Sequence, residues 1–189
     1  MVDYGRFMPP TMISRSLADI RAFHAKHGEI VVKPLHGKAG EGVFRNGKDG
    51  TNLTALTELF GSIWKEPFIA QAFLPAVSEG DKRIVLVDGE VAGAINRVPG
   101  KGEFRSNLAA GGTAKATELT DREREICDAL GPELKKRGLL FVGIDVIGGE
   151  WLTEINVTSP TGIQEINNLD GIAIESDIWD AIEKRARRR

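Results

Sequence analysis

A carboxylate stands in the middle of an otherwise apolar, β-branched run, Phe141-Val142-Gly143-Ile144-Asp145-Val146-Ile147. That combination constrains the chain more than any other feature. The run reads as a buried strand, and a buried carboxylate is costly unless it is paired or bound to a cation. Gly148-Gly149 is a hairpin turn signal, and Trp151 to Val157 is the return strand. Side chains alternate across a strand, so Glu154 and Asn156 share a face with Leu152, while Ile155 and Val157 face the other way. A tight turn brings Asp145 near the polar pair. Three oxygen-bearing side chains on one sheet face suit a hard cation such as Mg²⁺. The alternative is that Glu154 and Asn156 form the solvated face of an edge hairpin. Asp145 inside an apolar run weighs against that.

The chain has 189 residues, of which 41% are hydrophobic. This is one large domain or two small ones, with enough apolar residues for a core. The net charge of −2 gives no electrostatic case for a nucleic-acid partner. The basic end, Lys184 to Arg189, reads as a frayed helix terminus whose cations suit the helix dipole. Cys127 is the sole cysteine, so there is no internal disulfide, which fits a reducing compartment. No apolar run is long enough to span a bilayer. Met1 to Pro10 lacks a basic segment followed by an apolar one, so no secretory signal is visible. The expectation is a cytoplasmic protein with no membrane partner.

Met1 to Met12 shows no period and reads as an entry segment. Ser14 to His27 reads as a helix, with Leu17, Ile20 and Phe23 inward, Ser16 and Asp19 as a capping box and Gly28 at its end. His24 and His27 are one turn apart, either a metal pair or a solvated helix edge. Glu29 to Pro34 reads as a strand with Lys33 at its exit. His36-Gly37-Lys38-Ala39-Gly40-Glu41-Gly42 then reads either as a plain turn or as a loop whose exposed N–H groups close over phosphates. Asn52 opens a helix with Leu53, Leu56, Leu59, Phe60 and Ile63 inward. Pro67 to Pro75 is a buried strand. Asp81 to Val87 and Glu90 to Ile95 form a hairpin around Asp88-Gly89. Arg97 to Gly112 is Gly-rich and irregular, and includes Arg97, Arg105 and Asn107. Thr120 and Glu123 cap a helix through Ile126, Leu130 and Leu134 that stops at Gly138, with Cys127 as a small core residue. Ser159 to Gly162 is a turn, and a last helix surrounds Ile178, Ala181 and Ile182. The order of elements suggests an α+β chain with two lobes, 1–75 and 76–189.

Several of these segments match one family together. They are Val32-Lys33-Pro34-Leu35, Gly80-Asp81-Lys82-Arg83, Arg105-Ser106-Asn107-Leu108-Ala109-Ala110-Gly111-Gly112, Phe141-Val142-Gly143-Ile144-Asp145 and Thr153-Glu154-Ile155-Asn156-Val157-Thr158-Ser159-Pro160-Thr161. In this order they resemble the ATP-grasp ligases, specifically the catalytic part of the bacterial glutathione synthetase family. The resemblance runs from about Pro9 to the last helix. It implies an ATP-grasp fold with ATP between the lobes. By position, Lys33 contacts phosphate, and Gly37, Gly40 and Gly42 belong to the phosphate loop. Gln71, Phe73 and Leu74 belong to the hinge that meets adenine, and Asp81 lies near the ribose. Asp145, Glu154 and Asn156 match the ligands of Mg²⁺, or of Mn²⁺. Arg83, Arg97 and Arg105 fall where the family holds anionic groups. Arg83, Arg105 and Asn156 are the candidate catalytic residues, and Arg97 with Ser159, Pro160 and Thr161 the candidate substrate site.

The implied reaction joins γ-glutamylcysteine and glycine through an acyl phosphate, releasing ADP and phosphate. The alternatives are an ATP-grasp domain that binds Mg-ATP without full turnover, and a ligase for another amino acid or peptide. The chain departs from the family pattern in places. His36-Gly37-Lys38-Ala39-Gly40 stands where relatives carry Asp-Gly-Met-Gly-Gly, so Lys38 either adds a phosphate contact or is solvated. Gln164 stands where an arginine is common. The domain that precedes this region in relatives, with its second nucleotide-contacting lysine, has no counterpart before Met1. A partner chain supplying that domain, or a homo-oligomer, is the corresponding expectation.

Overall fold

The computed structural model describes residues 2–36, 40–63, 66–108 and 111–187. The chain separates into two compact units, Met8–Pro75 on one hand and Met1–Phe7 with Ala76–Arg189 on the other. The start of the chain therefore belongs with the second unit and not with the lobe that follows it in sequence. Phe7, fully buried in the core of that unit, is the reason.

The smaller unit contains β1 (Thr11–Ser14), α1 (Leu17–His27), β2 (Ile30–Pro34), β3 (Phe44–Asn46), α2 (Leu53–Ile63) and β4 (Phe68–Ala72). Its antiparallel sheet has the order β1-β4-β2-β3. Ser16 caps α1 by accepting from the Asp19 N–H, and Gly28 ends it with a positive φ of 73°. The two histidines of α1 do not converge: His24 meets the Gly47 carbonyl at 2.7 Å, and His27 lies against the ring of Phe23. Ile30 and Val32 enter a core with Ile20, Leu53, Leu56, Phe60, Phe68 and Ala70. Alternation then puts Val31 and Lys33 on the opposite sheet face.

Three expectations for this unit need correction, the first being the start of α1: Ser14 ends β1, and the helix begins only after the Ser16 cap. Met1 to Met12 is not aperiodic: it holds a 3₁₀ helix, Val2–Phe7, and leads into β1. On α2, Leu59 and Ile63 are exposed, at 45% and 58%, and Thr57 is buried in their place. Residues 53, 56, 57 and 60 form the inward stripe of a helix, and the Thr57 hydroxyl is satisfied by the Leu53 carbonyl at 2.7 Å. Leu59 and Ile63 sit at or beyond the edge of that stripe.

The larger unit contains β5 (Asp81–Val87), β6 (Glu90–Val98), β7 (Thr113–Ala116), α3 (Asp121–Lys136), β8 (Phe141–Ile147), β9 (Trp151–Asn156), α4 (Ile163–Asp170) and α5 (Ile174–Ala186). The sheet is antiparallel with the order β7-β6-β5-β8-β9. Strand β6 runs past Ile95 and takes Arg97 into the sheet, where it pairs with Asp81; Arg97 is not part of an irregular stretch. Ile84, Leu86, Ala94, Val142, Ile144 and Val146 pack on one face against Ile126, Leu130 and Leu134 of α3. The Thr120–Glu123 capping box starts that helix. Val85, Val87 and Ile95 pack on the other face against Ile166 of α4 and Ile174 of α5. Gly93 lets Ile166 approach the sheet, since a Cβ there would lie 2.6 Å from its side chain. The hairpin turn has positive φ at Asp88 and Gly89, as a two-residue connection between twisted strands requires.

The pairing of β8 with β9 carries a second correction. Asp145 is opposite Glu154, but Val146 is opposite Leu152, so Thr153 is an extra residue in a β-bulge. The bulge reverses the parity on either side of it. Leu152 does not share a face with Glu154 and Asn156: it is fully buried in the α3-side core, with Ile155 beside it.

Candidate active site

Cross-strand partners in an antiparallel sheet project to the same side. Arg83 is opposite Asp145, Asp145 is opposite Glu154, and Asp81 is opposite Arg97. These residues lie on the face that also carries Val85 and Ile95, at the end of the sheet away from the Asp88 turn. Asn156 is opposite Gly143 on that face. The sheet thus gathers Asp81, Arg83, Arg97, Asp145, Glu154 and Asn156 from four adjacent strands.

Arg83 grips Asp145 with two nitrogens, Nε to Oδ1 at 2.5 Å and Nη2 to Oδ2 at 3.0 Å. Its third nitrogen, Nη1, donates to the Thr161 carbonyl at 3.0 Å, so the guanidinium ties the strand to the Ser159–Thr161 turn. Gly143 makes this possible. A Cβ there would lie 2.7 Å from Pro160 Cβ and 3.1 Å from Arg83 Cδ, so the missing side chain is the space that buried Pro160 and Arg83 occupy. Ser159 and Thr161 are exposed on either side of Pro160.

Arg97 serves two carboxylates with one nitrogen. Its Nη2 is 2.6 Å from Asp81 Oδ2 and 3.0 Å from Asp145 Oδ2. Its Nε donates to the Asp81 backbone carbonyl at 3.4 Å. Burial works against its charge, yet Asp145 and Asp81 raise its pKa. Burial also pushes Asp145 up, but Arg97 and Arg83 outweigh it and hold that carboxyl down at about 2. Asp81 moves the other way, pushed up to about 7 by burial first and then by the charge of Asp145, against the pull of Arg97.

Sequence reasoning missed two positioning residues. Ser106 is buried and donates its hydroxyl to Asp81 Oδ2 at 3.0 Å. It lies in a segment singled out above, but nothing in a Gly-rich run marks one serine as inward. Thr153 donates to the Asp145 carbonyl at 3.2 Å, and only the bulge makes it reach.

Arg105 pairs with Glu103 at 2.8 Å in a partly exposed position. The Glu103 carboxyl is correspondingly held down at about 2 by Arg105 and by the Phe104 N–H. In the smaller unit, Lys33 is buried on the sheet face opposite α1 and α2. Gln71 shares that face and donates to the Thr11 hydroxyl at 2.8 Å. The guanidinium of Arg45 lies 4.1 Å from the centre of the Phe73 ring, and Leu74 follows at the exit of β4. Gly40 and Gly42 both have positive φ, 76° and 69°. Gly37 and Lys38 lie outside the described residues.

Among the described residues, no group of three or more His, Cys, Asp or Glu side chains is arranged to hold a metal. The expected set differs in kind, since one donor is the amide of Asn156. Its Nδ2 is 3.5 Å from Asp145 Oδ2, while Glu154 is the direct cross-strand partner of Asp145. One oxygen of the same cluster, Asp81 Oδ1, is buried without a hydrogen-bond partner. The carboxylates of Asp145 and Glu154 and the amide of Asn156 carry oxygen atoms of the kind a hard divalent cation takes.

Residues 1–171 match the family described as prokaryotic glutathione synthetase, ATP-grasp domain. The chain is 57% identical over 187 residues to the glutathione synthetase of Rhodopseudomonas palustris, covering 98% of this chain and 59% of that protein. It thus spans 59% of the length of that curated relative. Among solved structures it is similar to the D-cycloserine synthetase DcsG, with a TM-score of 0.71 at 18% identity, covering 100% of this chain and 67% of that one. It is also similar to the ATP-grasp ligase PsnB complexed with a phosphomimetic variant of a minimal precursor, Mg and ADP. There the TM-score is 0.65 at 20% identity, covering 95% and 54% of the two chains. With an α+β fold of this kind and a family match over most of its length, the chain belongs to the prokaryotic glutathione synthetase ATP-grasp domain family.

Proposed function

We propose that this chain carries the nucleotide-dependent chemistry of an ADP-forming acid–amine ligase of the glutathione synthetase type, joining γ-glutamylcysteine to glycine. The observation that carries the reading is the sheet face with Asp145, Glu154 and Asn156 beside Arg83 and Arg97, in a chain of this family. A carboxylate is a poor electrophile. Its oxygen attacks the γ-phosphorus of ATP and ADP leaves. The amine of glycine then attacks the acyl carbon, phosphate leaves, and the amine gives up a proton. No covalent enzyme intermediate is required.

Asp145, Glu154 and Asn156 would hold Mg²⁺, with Mn²⁺ as a substitute. When bound, the cation neutralises charge that develops on the transferring phosphoryl group. A neighbour of the same fold is complexed with Mg and ADP, which supports this choice. Arg83 orients Asp145 and ties it to the Thr161 turn, where Ser159 to Thr161 line the acceptor side. Lys33 contacts a phosphate, the Gly37 to Gly42 loop covers it, and the Gln71 to Leu74 hinge meets adenine. Asp81 and Arg105, assigned to ribose and to an anionic group by position, complete the set. Among the described residues no helix is long and apolar enough to cross a membrane. A reaction that consumes ATP fits a cytoplasmic location.

A second reading is favoured by the coverage of 59% of the curated relative. In it this chain binds Mg-ATP, and full turnover draws on residues outside the matched span. Phosphate release measured with γ-glutamylcysteine and glycine, each omitted in turn, tests the first reading. Release that needs both substrates supports ligation. Release indifferent to both leaves only nucleotide binding and hydrolysis.

A further inference from the structure

Both oxygens of Asp145 are already taken by guanidinium groups, and the two arginines hold it in different ways. Arg83 uses two nitrogens on Asp145 and is fixed by a third bond to the Thr161 carbonyl. Arg97 reaches Asp145 through Nη2 alone, at 3.0 Å, and the same nitrogen is closer to Asp81 Oδ2, at 2.6 Å. Its Nε also faces Asp81, through the backbone carbonyl. Arg97 can leave Asp145 without losing its place, because its Nε and Nη2 remain bonded to Asp81. Ser106 donates to the same Asp81 oxygen, Oδ2, at 3.0 Å. Asp145, Asp81 and Glu154 all favour the charge on Arg97, so its guanidinium stands on Asp145 until another cation arrives.

We propose that Arg97 is a built-in counter-ion that a divalent cation displaces from Asp145, and that Asp81, held by Ser106, is the dock that retains it. This rests on the reading of Asp145, Glu154 and Asn156 as metal ligands. Arg97 and Asp81 thereby act as positioning residues that set the threshold for metal entry.

The test uses Mn²⁺ alone, without nucleotide, on the full chain. A crystal structure of the Mn²⁺-loaded protein is expected to show anomalous density at Asp145. Arg97 Nη2 should be beyond hydrogen-bond distance of Asp145 Oδ2 and still paired with Asp81. In titrations followed by electron paramagnetic resonance, Arg97→Gln should bind Mn²⁺ roughly tenfold more tightly, the scale of one charge-assisted hydrogen bond lost. Asp145→Asn should abolish the site. Mn²⁺ at Asp145 with Arg97 unmoved overturns the displacement while leaving the metal reading intact, and so does an Arg97→Gln affinity equal to that of the parent. Binding that is indifferent to Asp145→Asn overturns both. Should Arg97→Gln fail to fold, the position of Arg97 in the Mn²⁺-loaded parent decides alone.

Discussion

Arg83 and Asp145 are 6% and 2% exposed, and each is the other's main partner. A buried ion pair of this kind gives little net stability over an apolar pair, but removing one member leaves the other under-compensated. Arg83→Met leaves Asp145 only its contact with Arg97 and frees the Thr161 carbonyl, so it should destabilise the larger unit by roughly 3 kcal/mol, the low end for a broken buried pair, read as a lower urea midpoint. Asp81 makes a prediction of opposite character. Its folded pKa, about 7, lies above the ordinary aspartate value of 3.8, so its contribution to stability is fully present below pH 3.8 and is lost as pH rises through about 7. In that window the unfolded chain is ionised while the folded one keeps its proton. Stability of the parent should fall between about pH 4 and 7, and Asp81→Asn should remove that part of the slope. Denaturant midpoints of the two proteins at pH 5 and pH 7 decide the matter: parallel slopes would rule out a raised Asp81.

The elements of the site were legible where composition or parity marks them. A carboxylate inside β8 needs a partner, and Glu154 with Asn156 on one parity of β9 supplies the polar face. What parity does not reveal is the bulge. Thr153 looks like any strand residue, and only the three-dimensional pairing shows that Leu152 and Glu154 point to opposite faces. Strands β1 and β7 are 4 residues each and too short to show a period, and α4 is one of two helices in a stretch where a single one was expected. In the sequence Arg97 reads as loop because Gly100, Gly102, Gly111 and Gly112 follow so soon, yet the strand runs on to Val98. Gly143 tests the packing at this scale. Gly143→Ala would put a methyl 2.7 Å from Pro160, so the turn and Arg83 must shift. Overpacking of this sort costs roughly 1–3 kcal/mol, and the same shift should weaken Mn²⁺ binding. A variant with unchanged melting temperature and metal affinity would show that the turn yields freely.

The whole chain carries the ATP-grasp fold, and its proposed ligand supplies a mass-action test. Mg-ATP at about a hundred times its dissociation constant should add roughly 2.7 kcal/mol to stability, visible as a raised melting temperature. Lys33→Ala should weaken ATP binding by roughly 1.5–3 kcal/mol in calorimetry, because a phosphate loses its charge-assisted partner. An unshifted melting curve would count against nucleotide binding by this span. An unchanged affinity in Lys33→Ala would count against the lysine alone. The joining of Phe7 to the core of the larger unit has a separate consequence, for biosynthesis. The unit Met8–Pro75 is one continuous stretch and can close its core as soon as it clears the ribosome. The unit that includes Phe7 must wait for α5, whose Ile174 completes its second cluster. Phe7, made before the smaller unit, thus finds its place only after that unit has been made, and the smaller unit folds while it is still an insertion in an unfinished neighbour.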